Sequence, residues 1–310
     1  MTSASVVLLA NPASGRGRSV TAAQTTAQRL RSFGIDATVI TGSSVDDAQA
    51  RLADALHDHS PVAVIACGGD GTVSMCLQAV AGTGIALGIL PVGTGNDNAT
   101  SLGVPTDPVE AADLIADVIA RGSYVIVDAG KATAADGVSR WFLGVLSSGF
   151  DSSVNARANA MTWPAGQARY LAAIVGELRV FKAVGYQLVL DEGLPSETHI
   201  AKPGMLVAVA NGRQYGGGMQ VAPDALMDDG LLDITFLDEL STPTFLRVFP
   251  TVYKGTHVRR AEVHQHRATT LTIDAPDQTA YADGELVGPL PVHVEIAPGA
   301  VRVLARPLRR

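Results

Sequence analysis

Over the first 128 residues, short apolar runs alternate with longer stretches whose apolar positions recur every three or four residues. SVVLLA (5–10), DATVI (36–40), PVAVIA (61–66), GIALGIL (84–90) and YVIV (124–127) are almost wholly apolar. Such runs predict strands, and near-continuous ones predict burial on both faces. Val20–Phe33 reads as a helix closed by Gly34. VDDAQARLADALH (45–57) places Val45, Ala48, Leu52, Ala55 and Leu56 on one face. MCLQAV (75–80) has helical character, and Asp107 and Gly122 bracket another helix, DPVEAADLIADVIARG. This alternation predicts a parallel sheet with helices on both faces.

After Asp128 the texture changes. WFLGVL (141–146), YQLVL (186–190), GMLVAVAN (204–211), LLDITFL (231–237), TLTID (270–274), TAYAD (279–283) and VHVEIA (292–297) are short β-rich runs between Gly, Pro and Asp clusters. They predict an antiparallel sandwich or barrel. Two helices are expected to interrupt it, Ala165–Ala183 and Pro243–Val252. The first carries Leu171, Ile174, Val175, Leu178 and Phe181 along a stripe. Trp141 heads an apolar run and is expected in the core.

The 310 residues are 47% hydrophobic, enough for a large core and about two domains. A formal net charge of −7 argues against a general nucleic-acid surface. Cys67 and Cys76 lack zinc spacing and read as small core residues in a reducing compartment. The N-terminus lacks the basic start of a signal peptide. No apolar run reaches the roughly 18 residues of a membrane span. His264 and His266 alternate as exposed strand residues do, more readily than as a metal pair.

Three glycine-rich turns follow predicted strands: NPASGRGR (11–18), CGGDGT (67–72) and LPVGTGND (90–97). In an open α/β sheet, ligands bind outside the carboxyl ends of the strands, where these turns gather. Glycine lets main-chain N–H groups approach an anion, and a following helix adds partial positive charge. Gly68, Gly69 and Gly71 therefore suit a phosphate cradle, with Thr72 as a hydroxyl donor. Arg16 and Arg18 are candidate phosphate contacts, or solvated surface arginines. Asp70 and Asp97 would repel a polyphosphate, which points to a shared Mg²⁺. The plain alternative is tight turns with helix-capping aspartates; three such turns in one sheet weaken it. Neither G-x-G-x-x-G nor G-x-x-x-x-G-K-[ST] occurs, which counts against nicotinamide and P-loop chemistry.

Taken together, NPASG (11–15), GGDGT (68–72), LPVGTGND (90–97), VDAG (127–130), PDALMDDGLLD (223–233) and DGE (283–285) resemble the diacylglycerol kinase catalytic family. That family also includes sphingosine, ceramide and bacterial lipid kinases. ARANAMTWPAGQARY (156–170) is similar to actinobacterial soluble members. Where the family often has Asn-Glu after GGDGT and one apolar residue, this chain has Ser74 and Met75, so no role for that Glu carries over. Where it often continues Asn-Asp-Phe-Ala, this chain has Asn96-Asp97-Asn98-Ala99.

The resemblance implies an N-terminal three-layer α/β nucleotide domain (1–128) and a C-terminal antiparallel β-sandwich (129–290). A last segment (291–310) returns to the first domain, and the active site lies in the intervening cleft. It implies ATP contacts at Asn11, Pro12, Ala13, Ser14, Gly15, Thr41, Gly69, Asp70, Gly71, Thr72, Val73, Ser74, Met75 and Thr94. It further implies a structural Mg²⁺ held by Asp229 and the carbonyls of Leu226 and Leu231; by itself, the stretch reads more readily as a hairpin-type Asp-Gly turn. The family places the general base in DGE. Glu285 is the first choice and Asp283 its neighbour for orientation or metal contact, and the residues alone do not separate them.

The implied activity is ATP-dependent phosphorylation of diacylglycerol to phosphatidic acid. A sphingoid base, ceramide or phosphatidylglycerol as acceptor, and an NAD kinase, remain alternatives; the N-x-G-x-x-G-F-type segment of the last is missing. A non-catalytic sensor would be expected to lose a catalytic carboxylate, and Asp70, Asp97, Asp283 and Glu285 are all present. The expected partner is a lipid drawn from a membrane surface, with no nucleic acid. A homodimer is compatible with the resemblance but not required by it. The expected location is cytoplasmic, peripheral at the inner membrane. Met161, Trp163, Leu171, Ile174 and Phe181, beside Arg169, Arg179 and Lys182, form either an interfacial surface or a helix packed on the sandwich.

Overall fold

The computed structural model describes residues 4–163, 167–178 and 180–308. The chain forms two units, Met1–Ala129 with Pro298–Arg310, and Gly130–Ala297. The first runs β1 (Ser5–Ala10), α1 (Arg18–Ser32), β2 (Asp36–Thr41), α2 (Val45–His59), β3 (Ala63–Gly68), α3 (Asp70–Val80), β4 (Ala86–Pro91), α4 (Asp97–Ser101) and α5 (Pro108–Arg121). Its strands pair in parallel in the order β2-β1-β3-β4. Helices on both faces leave every residue of β3 and β4 buried, as their apolar runs require.

Helix ends follow local chemistry. Ser44 caps α2 by accepting the Asp47 N–H at 3.1 Å. Asp107 accepts the N–H groups of Val109 and Glu110 at 2.9 and 3.0 Å, Pro108 opens α5, and Gly122 closes it with φ 63°. The C-terminal residues join this unit, which strand patterning alone does not predict. Val303 pairs with Leu87 of β4, and the Gly299 N–H donates to Asp128 Oδ1 at 2.7 Å. Cys67 and Cys76 are free and fully buried; burial pushes the Cys76 thiol up to about 12 and Cys67 up as well.

Two strands run from one unit into the other, β5 (Val125–Ala134) and β16 (Val292–Val303), and between them the second unit has β6 (Ser139–Phe142), β7 (Val145–Gly149), α6 (Phe150–Ala160), α7 (Gln167–Glu177), β8 (Val184–Leu190), β9 (Thr198–Gly204), β10 (Leu206–Ala210), β11 (Leu232–Leu237), α8 (Thr242–Val248), β12 (Val263–Ala268), β13 (Thr270–Asp274), β14 (Thr279–Ala282) and β15 (Glu285–Pro289). One antiparallel sheet has the order β12-β11-β10-β7-β14-β15. In the other, β13 lies between β16 and β8, and β8 pairs with β9. Val207, Val209, Ile234 and Phe236 of the first pack with Leu188, Leu271 and Ile273 of the second in a sandwich core.

Helix α6 escapes sequence patterning because its apolar face is sparse: its buried apolar residues are Phe150, Val154 and Ala158, at i, i+4 and i+8. They pack with Ile174 and Leu178 around α7 and with Phe245 of α8. The Phe150 ring meets Phe181 at 5.4 Å and Phe245 at 4.9 Å between centroids. The expected helix over Ala165–Ala183 ends at Glu177. Residues 164–166 and Arg179 lie outside the described residues, as do the side chains of Arg16 and Leu171. Trp141 is not core: it is half-buried on β6, with Lys131 Nζ 5.6 Å from its ring centroid.

Candidate active site

In the first unit, parallel register sets the strand ends side by side. Ala10 pairs with both Thr41 and Cys67, and Gly68 pairs with Pro91. The segments 11–15, 68–72 and 92–97 and residue Thr41 therefore gather at one edge of the sheet. Strand order reverses between β1 and β3, the position where open α/β sheets bind ligands.

These turns are built by close main-chain contact. Asn11 Oδ1 accepts the Ala13 N–H at 3.0 Å, and the Ser14 N–H donates to the Asn11 carbonyl at 2.9 Å. Gly15 sits at φ 60°, and a Cβ there would lie 2.5 Å from the Val92 carbonyl oxygen. A Cβ on Gly93 would lie 2.4 Å from Gly69 Cα. No other residue lets these turns meet, and what they present is main chain rather than side chains. Thr72, Val73 and Ser74 have buried side chains, and Thr72 Oγ1 packs under Gly68, 2.1 Å from where a Cβ would stand. Thr94 is exposed and Met75 half-buried.

Asp70 has a defined task. Its Oδ2 accepts the Asp97 N–H at 3.2 Å and its Oδ1 the Asn98 N–H at 3.0 Å, so it caps α4 from the neighbouring turn. A Cβ on Gly95 would come within 2.9 Å of the same carboxylate. Asp70 thus holds the 92–97 turn in place. Asp70→Ala is expected to leave the protein folded at a cost of about 1–2 kcal/mol. Turnover should be lost as that turn relaxes. Thermal unfolding and ATP-dependent turnover check this, and full activity would remove Asp70 from the site.

In the second unit, Asp283 and Gly284 form the two-residue turn between β14 and β15, with φ 49° and 82°. Positive φ at both positions is what a tight hairpin demands, hence Asp-Gly. The two carboxylates differ sharply. Asp283 Oδ1 accepts the N–H groups of Gly144 and Val145, both at 3.0 Å, and Oδ2 that of Leu143 at 2.9 Å. Glu285 is exposed, and its side chain has no hydrogen bond or ion pair among the described residues. Asp283 is therefore a structural anchor, and Glu285 is the carboxylate of the pair left exposed.

The loop before β11 holds the expected metal ligands. Asp229 Oδ1 accepts the Leu231 N–H at 3.1 Å, and Oδ2 pairs with Arg267. Arg267 Nε also lies 3.3 Å from Asp233 Oδ1. Burial raises the Asp233 pKa, with Asp229 and Asp224 adding to the rise and Arg267 opposing it; its Oδ2 is buried without a partner. Asp229 is thus already ion-paired with Arg267, and the orphaned Asp233 oxygen is the polar atom here left without a partner. No group of three or more His, Cys, Asp or Glu side chains converges as a metal site among the described residues. His264 instead pairs with Asp238 at 2.7 Å.

One feature was not found from the sequence. An apolar pocket opens between the six-stranded sheet and α6–α8, with about 720 Å³ of space including its mouth. The cavity itself is small, about 80 Å³, and the remainder is open to solvent. Its wall includes Ile174, Leu237, Phe245 and Phe249, with Asp151, Tyr215, Thr235 and His257 as polar members. Asp151 Oδ2 accepts the Ser147 hydroxyl at 2.7 Å. Desolvation, then the Asp151 carboxylate to which it donates, holds the Tyr215 phenol well above its usual pKa. The SSGFD strand-to-helix turn was the available signal for Asp151.

Residues 5–132 match the diacylglycerol kinase catalytic domain, and 144–305 the YegS C-terminal NAD kinase beta sandwich-like domain. A diacylglycerol kinase of Mycobacterium tuberculosis (strain ATCC 25618 / H37Rv) is 42% identical over 299 residues, spanning 96% of this chain and 94% of its own. The chain belongs to the diacylglycerol kinase catalytic family. A "Probable lipid kinase YegS-like" protein of Stenotrophomonas maltophilia (strain K279a) is 31% identical, with 83% of this chain and 82% of that one covered. The crystal structure of a diacylglycerol kinase from Bacillus anthracis str. Sterne shares the fold, at TM-score 0.72 and 23% identity over 99% of this chain and 98% of that one. Family membership makes this chain a lipid kinase, with ATP as the implied co-substrate. No helix among its described residues is long and apolar enough to cross a membrane.

Proposed function

We propose that this lipid kinase transfers the γ-phosphoryl group of ATP to the free hydroxyl of diacylglycerol, giving phosphatidic acid and ADP. The observation that carries the reading is the 42% identity, over 96% of the chain, to a diacylglycerol kinase. The apolar pocket supports a lipid acceptor. Phosphoryl transfer depends mainly on positioning and charge neutralisation. The main chain of residues 11–15, 68–72 and 92–97 binds the ATP phosphates. Glu285 takes the hydroxyl proton as the new O–P bond forms and the bond to the ADP oxygen breaks. Transfer of ³²P from ATP to a panel of diacylglycerol, sphingoid base, ceramide and phosphatidylglycerol, with NAD as a separate acceptor, tests it. Labelling of another member and not diacylglycerol overturns the assignment.

Mg²⁺ bound with ATP neutralises phosphate charge, with Asp97 as its nearest candidate ligand in sequence. A second Mg²⁺ is held by Asp229 and the carbonyls of Leu226 and Leu231, where the orphaned Asp233 oxygen favours a cation. Saturating Mg²⁺ is expected to raise the wild-type Tm by on the order of a few degrees. Asp229→Ala should abolish that rise and lower activity. An unchanged Mg²⁺ response in this variant removes the site.

The lipid is taken from a membrane surface at the cytoplasmic face. Trp163, Val175 and Val180 are exposed apolar side chains that support a peripheral contact, with Lys182 beside them in sequence. Ile174 is buried, and Met161 and Phe181 pack inward, so these three do not form that surface. Trp163→Ala should weaken sedimentation with anionic vesicles; unchanged sedimentation counts against the contact.

A further inference from the structure

The Glu285 side chain has no hydrogen bond or ion pair among the described residues, yet the main chain on both sides of it is held. Asn155 Nδ2, on α6, donates to the Gly284 carbonyl at 3.3 Å. Arg140 Nε, on β6, donates to the Leu286 carbonyl at 3.1 Å. Neither bond is needed to form the hairpin, which the Ala282–Glu285 pair and the turn at Asp283 and Gly284 already close. β15 is the last strand of its sheet, paired with β14, so no second strand of that sheet steadies its outer side. Two side chains from segments 129 and 146 positions away do so instead. Val154, next to Asn155, lines the apolar pocket, so the helix that walls the pocket also grips the turn before Glu285.

We propose that Asn155 and Arg140 are positioning residues for Glu285, fixing the carbonyls that flank it so that its carboxylate is aimed from a set point on the main chain. The proposal rests on the reading of Glu285 as the general base. A base works only within roughly 2.6–3.2 Å of its proton, and a misplacement of about 1 Å can cost roughly 10²-fold. A carboxylate with no bond of its own takes its aim from the backbone that carries it. Both donors are only half-buried, so water competes for the two bonds. They therefore contribute little to stability and act mainly on where Glu285 stands.

Asn155→Leu and Arg140→Met remove the donors and keep the bulk. Each should lower kcat by roughly 10-fold, within the range that small misplacements give, with KM for ATP and thermal unfolding close to wild type. Asn155→Gln and Arg140→Lys, which keep a donor, should regain part of the rate. In a Glu285→Gln background neither loss should lower kcat further, because the group they position is already gone. A purely structural role would lower kcat by the same factor in both backgrounds. Asn155→Ala serves if the Leu variant does not fold. A second measurement needs no turnover: a nitroxide on Glu285→Cys, labelled selectively because Cys67 and Cys76 are fully buried. Loss of either donor should make the nitroxide more mobile in its electron paramagnetic resonance spectrum. An unchanged spectrum in both variants, wild-type kcat in both, or equal losses with and without Glu285 overturns the proposal. Glu285→Gln at the wild-type rate defeats the base reading, and the spectrum then decides whether the two donors hold the turn. An impaired Glu285→Gln beside fully active Asn155→Leu and Arg140→Met defeats this proposal alone.

Discussion

Glu285→Gln is expected to lower kcat by about 10²-fold or more while leaving ATP affinity and unfolding unchanged. The acceptor hydroxyl is a poor nucleophile until its proton is removed, and it becomes acidic late in the transfer as the bond to phosphorus forms. A carboxylate free of other partners can take the proton then. Glu285 is such a group: it is exposed and unpaired among the described residues. Glutamine keeps its size and hydrogen-bonding shape but cannot accept the proton. Because the side chain makes no hydrogen bond or ion pair among the described residues, the substitution should cost little stability. Steady-state kinetics, ATP titration and thermal unfolding check the three parts. A wild-type rate in Glu285→Gln, with Asp283→Asn inactive, would move the base to Asp283. Full activity in both would remove the DGE turn from catalysis.

Asp283→Ala should instead act on the fold, destabilising the second unit by about 3 kcal/mol or more. Its carboxylate accepts three N–H groups, those of Leu143, Gly144 and Val145, in a segment whose residues are buried. A buried donor left without its acceptor costs about 1–3 kcal/mol, and water entering the vacated space offsets part of the sum. For a unit of this size the Tm should fall by about 6–12 °C. Asp283→Asn, which keeps one carbonyl acceptor, should fall less. Thermal or urea unfolding of the three proteins gives the order. An Asp283→Ala protein as stable as wild type would show that these bonds do not hold the 143–145 segment.

The sequence was enough for the alternating strands and helices of the first unit, because both faces of a parallel sheet are buried and its strands are continuously apolar. Capping residues were legible for the same local reason: Asp107 and Gly122 act on the main chain within a few positions of themselves. The glycine turns could be read as turns after strands, since a close main-chain approach tolerates no Cβ. Helix α6 was not legible, since three inward residues do not make a strong periodicity. Nor was the position of Trp141, half-buried because its strand β6 pairs with β5 and no other described strand.

The roles of the carboxylates were decided only by tertiary structure. Asp70 and Asp97, 27 positions apart, looked alike as turn residues, yet Asp70 spends both oxygens on the main chain of the other turn. Asp283 and Glu285 are two positions apart and chemically near-identical. What separates them is that Asp283 meets a segment about 140 positions away, while Glu285 points into open space. The apolar pocket likewise draws on helices and strands spread from Phe150 to Val263. Local sequence determines main-chain conformation and which faces are buried. Which donor a carboxylate finds, and which polar group is left without one, depends on contacts that exist only once distant segments have packed.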